Sequence, residues 1–394
     1  MSWPPIRPGW FFFGLALGLV TLGWLGRYVG RTDYHPGFVR FNQAISPEGN
    51  YFPTVDEMCA IARGCCRPDQ VLVVVGGNSI LYGVWQMQQE VWTGRLQELL
   101  GPRYCVVNFA FRGAVPADCG AVVAEALRDD FPRQIYIANE APLTGEDAFG
   151  SAPYRFVFWQ AYFSGRTLPF APRDRQVRRY LSDRAHWNEA FELIFKEETD
   201  RVLHDTDFWN WVGFRHFFTV ESRYSLEPER RFLPRSEFPD DEVDGNDPKW
   251  EGVHYPPAAD ALETNLVFAG ARLAYDPTPH GWRLKPAFHD DMLRTFGEAI
   301  PDRLKARTLI LLGRNSPHYW NLGSPEDQDR GVAAIRDSVQ LWRRAGYAAI
   351  EYGRGYSAED YGDRAHLAPS GGRKLAADVA PEVRAIAERL GYFK

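Results

Sequence analysis

This 394-residue sequence lacks any basic stripe, any cysteine pair at metal-ligand spacing, and any small-residue cleavage site behind its first apolar run. The formal net charge is −6, so nothing is present to neutralise a row of phosphates, and a nucleic-acid partner is excluded as an expectation. Lysine is scarce, and positive charge is carried almost entirely by arginine. There are only five cysteines. Cys59, Cys65 and Cys66 are close enough for a local disulfide in an oxidising compartment, Cys59 pairing with either neighbour, while Cys105 and Cys119 read as small core residues. No cofactor is expected. Hydrophobic residues make up 45% of the chain and charged ones 24%, which is a globular composition. The length suits one large or two ordinary folded units of about 150 residues each.

What the sequence does contain begins with an uncharged run from Pro8 to Gly26, dense in Phe, Leu, Val and Trp between Trp10 and Leu25. It approaches the roughly 20 residues needed to cross a bilayer. Trp10 and Tyr28 stand where interfacial aromatics belong, and Arg7 and Arg27 bracket the span. A cleaved signal peptide is disfavoured by the single preceding arginine and the missing A-x-A site. Residues 1–32 are therefore expected to be a retained transmembrane anchor, meeting the bilayer through residues 9–30. Gly14 and Gly18 form a G-x-x-x-G, repeated by Gly26 and Gly30, that would admit an integral membrane partner; small residues are also simply frequent in such helices. Arg27 and Arg31 against Arg7 favour a cytoplasmic body by a margin of one residue.

Beyond a lead-in at 33–70, which contains a short helix over Val55 to Arg63, the run Val71 to Val75 predicts a strand buried on both faces of a parallel sheet. Gly76 and Gly77 end it, and a helix is expected from Ser79 toward Leu100, stopped by Gly101-Pro102. Further strands are read at Tyr104 to Phe109, Gln134 to Asn139, Thr308 to Leu312 and Ala348 to Tyr352. Helices are read at Ala117 to Leu127, after Ser324-Pro325, and from Ser370 to Leu390. The fold class is α/β, a three-layer α/β/α parallel sheet. Its first part is 71–142 and its second 301–394. They are separated by an aromatic-rich, mostly helical insertion at 143–300, with helices around Trp187 to Leu203 and Asp207 to Phe218.

Ser79 sits at a strand-to-helix turn, where free amides favour an anion such as an ester's oxyanion; a Gly-Gly turn with an ordinary N-cap serine has the same local pattern. Three other segments follow strands: Asn108 to Gly113, Ala138-Asn139-Glu140, and Asp363 to His366. Asp363, three residues before His366, can orient the imidazole so that its other nitrogen takes the serine proton.

These blocks, Gly77-Asn78-Ser79-Ile80 with the other three in order, resemble the four signature blocks of the SGNH (GDSL-type) hydrolase superfamily. The resemblance covers residues 71–142 and 301–394. It implies Ser79 as nucleophile, His366 as general base and acid, and Asp363 as orienting carboxylate. It also implies an oxyanion hole made by the amides of Ser79 and Gly113 and the Asn139 side chain. Asn78 stands for the usual aspartate, Ala110 and Ala138 for glycines, and Glu140 for an aspartate. The anchor, the insertion and the altered first block resemble the membrane-tethered branch, which includes alginate O-acetyltransferases and D-alanyl-transfer proteins. That implies a body outside the cytoplasm, acting on a glycan or wall polymer.

Other features compete for attention. Asp240, Glu242, Asp244, Gly245 and Glu251 fall at positions of a calcium loop, but Pro239 and Pro248 favour an acidic solvated loop. Phe208, Trp209, Trp211, Phe214, Phe217 and Phe218 read as core, or as an acyl or sugar pocket. His289 beside Asp290 and Asp291, and His318, have no partner at ligand spacing, so no metal is expected there. Three functions stay open. The first is an anchored serine esterase or O-acyltransferase working on an acyl-bearing substrate. The second is a non-catalytic subunit docked on a membrane complex, and the third a lipase or thioesterase on membrane acyl chains.

Overall fold

A computed structural model describes residues 8–29, 40, 55–86, 90–111, 119–140, 255 and 257–393. Its centre is a sheet of five parallel strands: β1 (Val71–Val75), β2 (Tyr104–Asn108), β3 (Gln134–Glu140), β6 (Thr308–Gly313) and β7 (Ala348–Tyr352), in spatial order β2-β1-β3-β6-β7. All four pairings are parallel. The all-aliphatic β1 explains its own position. Leu72 and Val74 face one core, Val71, Val73 and Val75 the other, and all five are fully buried. At about 1.5–3 kcal/mol per buried aliphatic side chain, only a central strand covered on both faces repays such a sequence.

One face is covered by α2 (Val55–Cys65), α5 (Cys119–Ala126) and α10 (Pro325–Arg344), the other by α4 (Trp92–Leu100) and α11 (Pro369–Arg389). α10 starts as its sequence predicts: the Ser324 side chain accepts from the Asp327 amide, and Pro325 opens the first turn. α11 buries Leu375, Val379, Val383 and Ile386 at helical spacing.

Several expectations need correction. The helix expected from Ser79 to Leu100 is two: α3 (Ser79–Tyr82) is a single turn, and α4 begins only at Trp92. Gly83 causes the break, ending α3 in the left-handed conformation at φ 87°. Within the segment read as a mostly helical insertion, α6 (Asp260–Ala274) and α7 (Pro286–Ala299) flank an unexpected antiparallel hairpin, β4 (Tyr275–Thr278) with β5 (Gly281–Leu284). The disulfide is not local to the first three cysteines: Cys66 pairs with Cys105, and Cys59 is a buried free thiol. Short-range spacing misses this because β2 lies at the sheet edge, where the chain leaving α2 passes beside it.

The N-terminal run does form a helix, α1 (Pro8–Val29), and Trp10, Phe11, Phe12, Phe13, Leu15 and Leu17 are exposed along it. Among the described residues, no helix is long and apolar enough to cross a membrane. The helices expected at 187–203 and 207–218 and the aromatic cluster they carry lie outside the described residues. So does the calcium-loop candidate Asp240, Glu242, Asp244 and Glu251.

Candidate active site

The order of the strands puts β2 on one side of β1 and β3 on the other, so the chain reverses its winding direction between β1 and β3. Ligand sites of open α/β sheets form in that crevice, beyond the carboxyl ends of the strands. Ser79 follows β1 there, Asn139 lies near the end of β3, and the Asp363–His366 loop follows β7.

The turn that carries Ser79 depends on one glycine. Gly77 has φ 103°, and a Cβ on it would lie 2.3 Å from Asn139 Oδ1, so both its conformation and its surroundings exclude a side chain. Asn78 caps α3: its side-chain oxygen accepts from the Ile80 amide at 3.0 Å. The first amide of α3, that of Ser79, is left without a hydrogen-bond partner among the described residues. Asn108 ties the end of β2 to this turn, donating to the Leu81 carbonyl at 3.0 Å.

Ser79 meets the Asp363–His366 turn across the fold, 287 positions separating Ser79 from His366. His366 Nε2 is 2.7 Å from Ser79 Oγ, and His366 Nδ1 is 2.7 Å from Asp363 Oδ2. Asp363 Oδ1 accepts from the amides of Ala365 and His366 at 2.8 and 2.9 Å. Burial of the Asp363 carboxyl raises its pKa. The His366 ring and amide, together with the Trp85 indole, outweigh that and hold it below the usual carboxylate range. An ionised carboxylate only accepts, so Nδ1 of His366 carries a proton, and in the neutral ring Nε2 is a free base facing the Ser79 hydroxyl.

The loop bearing His366 is held on both sides. Beyond β6, the Ser316 amide donates to the Arg364 carbonyl at 2.7 Å, and the Tyr361 hydroxyl donates to the Arg314 carbonyl at 2.9 Å. Tyr255, whose hydroxyl is bonded to Ser316, is pushed up to about 12, first by burial. His318, which has no partner at metal-ligand spacing in the sequence, stacks on Tyr255 and pairs with Asp260 at 2.9 Å. It lies at the edge of the site, at the start of α9 (Pro317–Leu322). His289 is on the surface beside Asp290, 2.9 Å away.

Of the three expected oxyanion donors, the Ser79 amide has no hydrogen-bond partner among the described residues and Gly113 lies outside them. Asn139 is buried and faces Asn78 reciprocally: its Nδ2 donates to Asn78 Oδ1 at 2.9 Å, and its Oδ1 accepts from the Asn78 amide at 3.1 Å. One of its two N–H bonds is therefore committed to Asn78. No group of His, Cys, Asp or Glu among the described residues is arranged to hold a metal ion.

Sequence reasoning missed three residues: Trp85, whose indole donates to Asp363; Gln86, which donates to the Leu367 carbonyl; and Arg40, which holds the loop carrying both. Nothing in their spacing marks them, because each acts across the fold.

No family model matches the chain. A search of curated proteins finds similarity to the ubiquitin-like modifier-activating enzyme ATG7 of Pyricularia oryzae, 31% identical over 140 residues. That stretch is 35% of this chain and spans only 17% of the ATG7 sequence. Since 287 positions separate Ser79 from His366, a match of 140 residues cannot contain both.

Proposed function

We propose that this protein is a serine esterase or O-acyltransferase of the SGNH type. The observation that carries the reading is the unbroken chain Ser79 Oγ, His366 Nε2, His366 Nδ1, Asp363 Oδ2, with both contacts at 2.7 Å. His366 Nε2 takes the hydroxyl proton as Ser79 Oγ bonds to an acyl carbonyl carbon. The tetrahedral oxyanion faces the Ser79 amide. Collapse breaks the bond to the leaving oxygen, which receives the proton from His366 and leaves an acyl-enzyme. Water or a sugar hydroxyl then accepts the acyl group by the reverse sequence.

Attachment to a membrane rests on α1, with its exposed Trp10 to Leu17 face. Side chains added at Gly14 and Gly18 would meet nothing within 4 Å, which leaves that face open to a partner helix. The Cys66–Cys105 disulfide supports an oxidising, extracytoplasmic compartment and therefore an envelope glycan or polymer as acceptor.

The reciprocal Asn78–Asn139 pair favours a second reading, a non-catalytic subunit of a membrane complex, because it draws on an expected oxyanion donor. A fluorophosphonate probe and an acetyl ester separate the two. The first reading expects labelling and turnover by the full chain and loss of both in Ser79→Ala, by roughly 10⁴-fold or more. Equal labelling of wild type and variant, or an inert wild type that co-purifies with partner subunits, removes it. Turnover of long-chain but not acetyl esters points instead to membrane acyl chains as the substrate.

A further inference from the structure

We propose that Trp85 is a positioning residue for the triad, setting the Asp363 carboxylate through its indole N–H; the inference rests on the hydrolase reading of the same site. Trp85 Nε1 donates to Asp363 Oδ2 at 2.8 Å, the same oxygen that faces His366 Nδ1. The other oxygen is fixed by two amides of its own turn. Among the described residues, only Trp85, 278 positions away in sequence, donates to Oδ2 from outside that turn. Its donation fixes the plane of the carboxylate against rotation and keeps it ionised while the imidazole gains and loses a proton.

The backbone reflects this placement. Trp85 is the only described non-glycine residue with positive φ, at 71°, a conformation uncommon for a bulky side chain and maintained only when its surroundings enforce it. Those surroundings are present. Buried Arg40 donates to the carbonyls of Tyr82, Gly83 and Gln86 at 3.1, 2.5 and 2.7 Å, bracketing Trp85. The buried Gln86 side chain donates to the Leu367 carbonyl at 3.0 Å and accepts from the Trp92 amide at 2.9 Å. The same loop holds the nucleophile, since the Gly83 and Val84 amides both donate to the Ser79 carbonyl at 3.2 Å. The stretch 83–86 thus holds both halves of the triad in register. Gly362, next to Asp363, leaves room for the indole: a Cβ there would lie 2.4 Å from Trp85 Cγ.

Trp85→Phe keeps an aromatic ring and removes the donor, and Gly362→Ala displaces the indole from the opposite side. In the full chain, both should slow fluorophosphonate labelling of Ser79 about tenfold or more, the effect of one hydrogen bond to a charged group. In Trp85→Phe the midpoint of labelling rate against pH should also move, which a purely packing role would not produce. If Trp85→Phe melts early, benzothienylalanine at position 85 decides, because sulfur replaces N–H at nearly unchanged shape. Wild-type rate and midpoint in that variant overturn the inference. The downfield proton of His366 Nδ1, followed by NMR, gives a readout independent of turnover. Its shift or loss without the indole N–H supports the inference, and an unchanged resonance overturns it. A wild type that resists labelling counts against the hydrolase reading alone, and the resonance still decides the role of Trp85.

Discussion

Arg40 donates to the carbonyl of Gly83 at 2.5 Å across 43 positions of sequence, at the point where α3 ends. The left-handed glycine turns the last carbonyls of α3 away from any continuing helix, and the guanidinium, lying 4.5 Å over the Tyr82 ring, gathers them. The lead-in between α1 and the sheet therefore contributes a structural member to the candidate active site. Arg40→Ala would leave the carbonyls of Tyr82, Gly83 and Gln86 without this donor in a buried setting. Equilibrium urea unfolding should show a loss of about 3 kcal/mol. Arg40→Lys should recover only part of it, because an ammonium cannot reproduce the planar fork. Full recovery by lysine would mean that charge alone matters at this position.

The legible parts of this fold are those fixed by local chemistry. The β-branched run of β1, the Ser324-Pro325 start of α10 and the apolar spacing of α11 each determine their element within a few residues. Ser79, Asp363 and His366 were readable for a similar reason: each follows a strand, and parallel strands deliver their carboxyl ends to one rim. Residues whose roles depend on distant partners were not readable. The β4–β5 hairpin was hidden by Pro277 in its first strand, which argues against strand in isolation. Cys105 looked like a core residue because its partner enters from α2, 39 positions earlier. Trp85 gave no signal because a left-handed tryptophan is chosen by its surroundings and not by its neighbours in sequence.

Asp327 predicts how the fold responds to acid. Arg272 of α6 donates to both of its oxygens, at 2.7 and 2.6 Å, and Ser324 to one, at 2.7 Å, joining α6 to the start of α10. The Arg272 hydrogen bond, against burial and with help from Ser324 and Arg330, lowers the carboxyl to about 2. A folded pKa below the unfolded value, about 4, means stability that is present above pH 4 and lost as pH falls toward 2. Arg272 is 38% exposed, so screening reduces the contribution to about 1–2 kcal/mol. Asp327→Asn should be less stable than wild type by that amount at neutral pH, and the gap in urea midpoints should close between pH 4 and pH 2. A gap independent of pH would assign the loss to packing.

The Cys66–Cys105 disulfide gives a test in which stability and chemistry should separate. It joins the chain just past α2 to edge strand β2, whereas the triad hangs from β1 and β7. Closing a loop with a 39-residue separation is worth about 4 kcal/mol in the chain-entropy model, and less where the reduced chain keeps structure. Cys66→Ser with Cys105→Ser should therefore lower the urea midpoint by the equivalent of about 2–4 kcal/mol. Labelling of Ser79 under native conditions should stay intact, because neither cysteine touches the turn that carries Ser79. Exchange with Cys59 should be slow, since burial pushes that thiol up to about 12 and leaves almost no thiolate. Exposed Cys65 neighbours Cys66 too closely for peptide mapping alone to separate the two. Non-reduced peptide mass spectrometry of Cys65→Ser resolves the question. A cross-link to Cys105 that survives the substitution fixes the pairing at Cys66, and one that disappears reassigns it to Cys65.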